Sequence, residues 1–343
     1  MQAKLILKDG TEYIGESFGA NVSKPGEVVF ATGMVGYPES LTDPSYRGQI
    51  LVLSYPLIGN YGVPDKKTWE SGKIQVAGLV VSGYIDTPSH HASKMSLGQW
   101  LKQEKVPALE IKDTRELVLR IREKGAILGK MEFDRKVDFL DPNLRNLAAE
   151  VCVKKPKIFG AGKKTVILLD CGVKQNIIRE LLKRKVKVVV VPWDFDPFVK
   201  KIKFHGALIS NGPGNPKMCG PTIETVKKII GKKIPTFGIC LGNQILALSA
   251  GGDTAKMKFG HRGQNQPVQL IGTKKCFLTT QNHGFEVKKV PAGFRPWFVN
   301  LNDGTNEGII HKSLPLFSVQ FHPEACPGPT DTAWLFDKFI DKL

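Results

Sequence analysis

From Thr165 onward, continuous apolar runs alternate with helix-spaced segments, and this rhythm leaves few architectures open. The runs "TVILLDCG", "VKVVVVPW", "GALISNGPGNP" and "IPTFGI" each begin as strand-length stretches without polar alternation. A strand that is apolar on both faces must be covered on both faces. Between the runs lie "VKQNIIRELLKRK" and "CGPTIETVKKIIGKK", which are apolar at helical spacing. An α/β domain over residues 165–343 follows, an open, mostly parallel sheet with helices on both faces. In such sheets ligands gather at the carboxyl ends of the strands. The Asn211–Pro216 loop and Cys240 both fall at such ends.

Residues 1–150 read differently, as a smaller mixed β/α domain. "KLILKDGTEYIGESFG" predicts a hairpin around Asp9-Gly10. "SLGQWLKQEKV" and "DTRELVLRIREKG" predict helices, the second capped by Asp113 or Thr114 and ended by Gly125. The Pro/Gly/Lys-rich stretch 151–164 is expected to be a linker. Within it, "GAGKKT" does not make a phosphate loop, because Lys164 stands where that motif needs Ser or Thr.

A chain of 343 residues is long for a single core, in keeping with two domains. No apolar run reaches the roughly 18 residues of a membrane span. The N-terminal segment has neither a signal core nor transit-peptide character, so no targeting segment is expected. The net charge is +17, but the basic residues are scattered as pairs such as Lys66-Lys67, Lys227-Lys228 and Lys288-Lys289. No aromatic residues interleave with them to stack bases, so a solvated surface or an acidic docking partner is expected, and not nucleic acid. None of the six cysteines forms a CxxC pair, so no zinc site is expected, and reduced thiols of an intracellular protein are.

One cysteine stands apart. Gly238-Ile239-Cys240-Leu241-Gly242 is the cysteine form of a nucleophile elbow, a sharp turn from strand to helix. Glycines are needed two residues either side, where side chains would collide. Such a turn lifts the sulfur above the sheet edge to a helix N-terminus, where the dipole favours negative charge. The Leu241 N–H can then face a developing oxyanion. A small apolar cysteine at a tight turn is the competing reading.

A cysteine nucleophile needs a base and something to hold that base. His90, His91 and His205 read as surface residues, while His261, His283 and His311 stay open. His322 differs, lying in "PLFSVQFHPEA" after an apolar strand, with Glu324 two residues on. On an extended chain these two side chains point the same way, and Pro323 stiffens the extension. A carboxylate beside an imidazole fixes its tautomer, the logic of a catalytic triad.

"FGICLGNQ" with "FHPE" at 321–324 resembles a class I glutamine amidotransferase. "VVFATGMVGYPESLTDPSYRGQI", "LSYPLIGNYG", "NGPGNP", "MKFGHRGQNQPV", "TTQNHGF" and "SVQFHPEACPGPTDTAWLFDKFI" extend the likeness to the glutaminase subunit of carbamoyl phosphate synthetase, leaning to the eukaryotic fused type. The resemblance implies a flavodoxin-like C-terminal fold behind a small-subunit N-terminal domain. It implies that Cys240 attacks the glutamine amide, His322 moves the protons and Glu324 orients His322. Leu241 and Gly214 would serve the oxyanion. Gly212 would let the backbone approach the substrate. Gln244, Asn282, Gly284 and Phe285 would hold the α-amino and carboxylate ends, with Ser45 reaching in from the N-terminal domain. Ammonia would pass to a large synthetase partner using bicarbonate, so ATP and Mg are expected there, and no cofactor or metal in this chain. The implied compartment is the cytoplasm or the mitochondrial matrix. Two positions depart from the family pattern: Asn243 replaces the usual histidine of G-I-C-L-G-H-Q, and Asn215 the usual aspartate of N-G-P-G-D-P. Ammonia-dependent relatives tend to carry asparagine there, but they have lost the cysteine that this chain keeps. A catalytically weak docking module and a cysteine peptidase on the same elbow are the alternatives.

Overall fold

A computed structural model describes residues 1–343, and the chain divides into two units, Met1–Arg145 and Asn146–Leu343. In the first unit, β1 (Gln2–Leu7), β2 (Glu12–Ser17), β3 (Lys24–Ala31), β4 (Gln49–Leu53), β5 (Gly78–Val81), β6 (Ala108–Glu110) and β7 (Ile127–Glu132) form a closed barrel. Its order is β1-β2-β6-β5-β4-β3-β7, and β7 pairs back onto β1 through Leu5↔Met131. The expected mixed β/α domain is thus corrected to a barrel. Closure pairs the first strand with the last, which leaves no open edge. The predicted β1–β2 hairpin is present, with Gly10 at φ 90° in its turn.

Three helices accompany the barrel: α1 (Tyr37–Thr42), α2 (Leu97–Gln103) and α3 (Thr114–Lys124). Ser96 and Gln99 form a reciprocal capping box on α2. Asp113 caps α3 by accepting from the Glu116 N–H at 2.9 Å, and Gly125 ends it. Trp100 and Leu101 pack with Val29, Leu51 and Leu79 of the barrel strands in one apolar core.

The second unit opens with α4 (Leu147–Val151) and β8 (Lys157–Phe159). The stretch 151–164 is therefore not a free linker, since β8 pairs with Val188–Val190 and becomes the edge of the main sheet. After it come β9 (Thr165–Asp170), α5 (Gln175–Lys183), β10 (Lys187–Pro192), β11 (Gly206–Ile209), α6 (Gly220–Gly231), β12 (Thr236–Ile239) and α7 (Leu241–Ser249). Then follow β13 (Asp253–Leu270), β14 (Cys276–Lys289), β15 (Phe294–Asn300), β16 (Asn306–His311), β17 (Leu316–Val319) and α8 (Trp334–Ile340).

All ten strands make one sheet, β14-β13-β15-β16-β17-β12-β11-β9-β10-β8. Parallel pairing is confined to β17-β12-β11-β9-β10, and the other five pairs are antiparallel. The expectation of a mostly parallel sheet holds only for this central block. Its strands alternate between two cores, as period-2 geometry requires. Val166 and Leu168 join α5 and α8 residues such as Leu181 and Phe336. Ile167 and Leu169 face the other way, with Val226 and Ile229 of α6 and Ile245 of α7.

Asp170 ties the entry of this unit to the end of β9. Its buried carboxylate accepts from the N–H groups of Val153, Gly172 and Val173, each at 2.8 Å. Asp170→Ala leaves three donors short of a partner. It is expected to cost about 2–4 kcal/mol, read as a lower denaturation midpoint.

Candidate active site

The chemistry-bearing residues follow the carboxyl ends of four neighbouring parallel strands. Lys174 follows β9, the Asn211–Pro216 loop follows β11, Cys240 follows β12 and His322 follows β17. Cys240 sits at φ 55°, ψ −104°, a conformation that L-residues rarely adopt. A Cβ on Gly238 would lie 2.5 Å from the Gly242 carbonyl oxygen, and one on Gly242 would lie 2.1 Å from that of Ile209. The two glycines are thus a steric requirement of the turn. The Cys240 N–H donates to the Val319 carbonyl at 2.8 Å, pinning the elbow to β17. Helix α7 starts at Leu241, whose N–H is among the open donors of its first turn. In the neighbouring loop, Gly214 has φ 83°, and a Cβ on Gly212 would come within 2.1 Å of the Cys171 carbonyl oxygen.

The thiol is 2% exposed and donates to the Asn282 carbonyl at 3.6 Å. His322 is buried, and its backbone N–H bonds the Thr280 carbonyl of β14 at 2.9 Å. Its Nδ1 meets Glu324 Oε1 at 2.6 Å, which leaves Nε2 as the free face of the ring. That nitrogen is buried without a hydrogen bond, and the ring lies close enough to Cys240 for their charges to couple. Burial alone would lower the His322 pKa. The charges of Glu324 and Cys240 outweigh it and raise the value to about 10. An imidazole so placed takes up a proton readily despite its burial.

Lys174 was missed by sequence reasoning, which counted it within a helix. It is 2% exposed, and its Nζ stands 3.2 Å from Glu324 Oε1 and donates to the Ala325 carbonyl at 2.6 Å. Asn176 Nδ2 donates to the Glu324 carbonyl. Burial pushes the Glu324 carboxyl up, but Lys174 and then His322 hold it down at about 2. The one signal in the sequence was a lysine just past an apolar strand, on the ligand-binding edge of the sheet.

The remaining expected site residues of this unit gather beside the elbow. Gln244 Nε2 donates to the Phe285 carbonyl at 2.8 Å and to Gln320 Oε1 at 3.1 Å. Asn282, Gly284 and Phe285 lie on β14, so "TTQNHGF" is strand. Ser45 belongs to the first unit. It is buried in a short helical turn, with its N–H on Asp43 Oδ1 at 2.8 Å. Asn215 caps the turn after Pro216 by accepting from the Lys217 N–H at 3.0 Å, a task open to an aspartate as well.

His261 and His283, left open by the sequence, are buried in a second polar cluster. His261 contacts Gln281 Oε1 at 2.9 Å, Asp303 Oδ2 at 2.8 Å and Glu307 Oε1 at 3.3 Å. Burial would lower its pKa, but Glu307 and Asp303 prevail and raise it. Burial drives His283 well below its ordinary value. His261, His283 and Glu307 bring three donor atoms within 4.8 Å of one another, the spacing of a metal cage. Hydrogen bonds to Gln281, Asn300 and Phe285 engage those side chains, and Glu307 Oε2 is left buried without a partner.

Comparison with known proteins agrees with this geometry. The sequence model of "Glutamine amidotransferase class-I" matches residues 167–342, and that of "Carbamoyl-phosphate synthase small chain, CPSase domain" matches residues 5–131. The chain is 51% identical over 355 residues to the mitochondrial carbamoyl-phosphate synthase (ammonia) of Mus musculus, covering 99% of this chain and 24% of that protein. It is 51% identical to the multifunctional protein CAD of Squalus acanthias, covering 99% of this chain and 16% of that protein. For the multifunctional protein pyr1-3 of Dictyostelium discoideum the identity is 48%, over 99% of this chain and 17% of that protein. The chain therefore spans about a quarter or less of the length of these relatives. With its elbow cysteine, buried His–Glu pair and matched domain, the chain belongs to the class-I glutamine amidotransferase family, and a carbamoyl-phosphate synthase small-chain domain precedes its amidotransferase domain.

Proposed function

We propose that this chain hydrolyses L-glutamine and supplies the ammonia to a carbamoyl-phosphate synthase partner. The observation that carries this reading is the strained Cys240 elbow facing a His322 held by Glu324 at 2.6 Å. Cys240 passes its thiol proton to His322, and the sulfur attacks the side-chain carboxamide carbon of glutamine. The negative charge passes to the amide oxygen, met by the N–H groups of Leu241 and Gly214. His322 gives that proton to the departing nitrogen, so ammonia leaves and a glutamyl thioester remains. The neutral ring then takes a proton from water. The hydroxide displaces the sulfur, and glutamate leaves with the triad restored.

Gln244 spends both its N–H groups on Phe285 and Gln320, which leaves its Oε1 as acceptor for the substrate's α-ammonium. Asn282, Gly284 and Phe285 would contact the same end of the substrate, and Gly212 would let the backbone come close. ATP and Mg would act on the partner, and this chain would need no cofactor or metal of its own. The similarity to mitochondrial and multifunctional synthases fits a role in urea or pyrimidine synthesis. No helix is long and apolar enough to cross a membrane.

A second reading rests on one finding: relatives at 51% identity carry "ammonia" in their names. On that reading the chain is a docking module with little glutaminase activity. Incubation with L-glutamine decides between them. The first reading expects glutamate and ammonia in equal amounts and a thioester trapped by acid quench. No glutamate release, even with a synthase partner added, rules it out.

A further inference from the structure

We propose that Ser318, Asn243 and Gln320 form a buried relay that fixes which end of the Gln244 amide faces the substrate. This deepens the glutamine reading above and rests on it. The Ser318 hydroxyl donates to Asn243 Oδ1 at 2.8 Å. Asn243 Nδ2 donates to Gln320 Oε1 at 3.1 Å, and Gln244 Nε2 donates to that same oxygen at 3.1 Å. Ser318, Asn243 and Gln320 are all 0% exposed and Gln244 is 2% exposed, so water cannot exchange for any link.

The polarity of the relay has one solution. The Phe285 carbonyl, 2.8 Å from the Gln244 amide, can only accept, so Gln244 must turn its NH2 toward it. The second N–H of that group then needs an acceptor, and Gln320 must present its oxygen. Asn243 must in turn present its NH2 to the same oxygen, and Ser318 must donate to Asn243. Reversing any one amide sets two donors or two acceptors face to face in a dry site, where neither finds another partner. Gln244 cannot flip without reversing the whole series. Its Oε1 is therefore always the atom left for an incoming cation, and the α-ammonium of an amino acid is the group it suits. Asn243, at the position where the family pattern has histidine, thus keeps a defined task. An imidazole there can donate from one nitrogen and accept from the other, so the residue usual in the family meets the same two demands. Asn243, Gln320 and Ser318 are positioning residues, acting through Gln244.

Asn243→Asp keeps the shape and reverses the polarity, because a carboxylate cannot donate to Gln320. In the full chain it is expected to raise the KM for glutamine about tenfold or more, equivalent to about 1.4 kcal/mol. kcat should stay within about threefold, the pattern of lost substrate binding. Asn243→His is expected to bring KM back to within about threefold of the parent. Calorimetry on the Cys240→Ser background should show the same loss and return in glutamine Kd. A KM within about twofold of the parent for Asn243→Asp overturns the relay, as does an Asn243→His chain equally impaired. If Asn243→Asp does not fold, Ser318→Ala carries the test, with a KM rise of about three- to fivefold expected and an unchanged KM overturning the relay. A parent chain that neither binds nor hydrolyses glutamine overturns the functional reading and the relay's role with it. An active parent with an indifferent Asn243→Asp overturns the relay alone.

Discussion

Replacing Cys240 with serine is expected to cut glutamate release at least about 10³-fold while leaving the fold and glutamine binding in place. A hydroxyl at this turn is a far weaker nucleophile than a sulfur poised beside an imidazolium. The substitution changes little else. Serine has the size of cysteine, and its hydroxyl can replace the thiol as donor to the Asn282 carbonyl. The backbone at φ 55° is held by Gly238, Gly242 and the bond to Val319, none of which depends on sulfur. Steady-state glutamate release, glutamine Kd by calorimetry and the melting temperature separate the outcomes. Release at the parental rate removes Cys240 from the chemistry. A fall in melting temperature of more than a few degrees assigns the cysteine a packing role instead.

The elbow was legible because part of its cause is local. Gly238 answers a collision with the nearby Gly242 carbonyl, which a single sequence displays, whereas Gly242 is required by the Ile209 carbonyl of β11. The Asp113 and Gly125 caps of α3 are local too, while the His322–Glu324 pair forms in a turn, closed by the Ala325 N–H on the His322 carbonyl at 3.1 Å, and not on the extended chain expected. What escaped depends on pairings distant in sequence. Barrel closure needs Leu5 to meet Met131, and nothing near either residue announces it. The β8 edge strand has only the short apolar core of "KIF" among lysines and glycines, so composition hid it. Strands β13 and β14 were not identified, because they bury polar side chains such as His261, Gln281, Asn282 and His283. Those residues satisfy one another across the sheet, so burial left no apolar signature. Lys174 was hidden for the same reason, a charge made tolerable by a carboxylate 150 residues away in sequence.

That hidden lysine sets the second large expectation. Lys174→Met leaves Glu324 buried without its main counter-charge and the Ala325 carbonyl without its donor. Breaking such a pair from one side costs about 3–5 kcal/mol, so the melting temperature should fall by several degrees. The pH dependence has a definite sign. The Glu324 carboxyl titrates near its ordinary value of about 4.3 when unfolded and at about 2 when folded. Its contribution to stability is present above the unfolded value and lost as pH falls through the folded one. Without Lys174 the folded value rises, so the contribution at neutral pH shrinks and acid unfolding begins at higher pH. The acid limb of kcat should move up with it, by about one pH unit or more, because a protonated Glu324 no longer steadies the His322 imidazolium. Lys174→Met/Glu324→Gln removes both charges together, and it should regain part of the stability lost by Lys174→Met alone, a coupling of about 1–3 kcal/mol in a double-mutant cycle. If the two losses simply add and the acid limb stays in place, Lys174 holds the Ala325 carbonyl and does not act on the charge of Glu324.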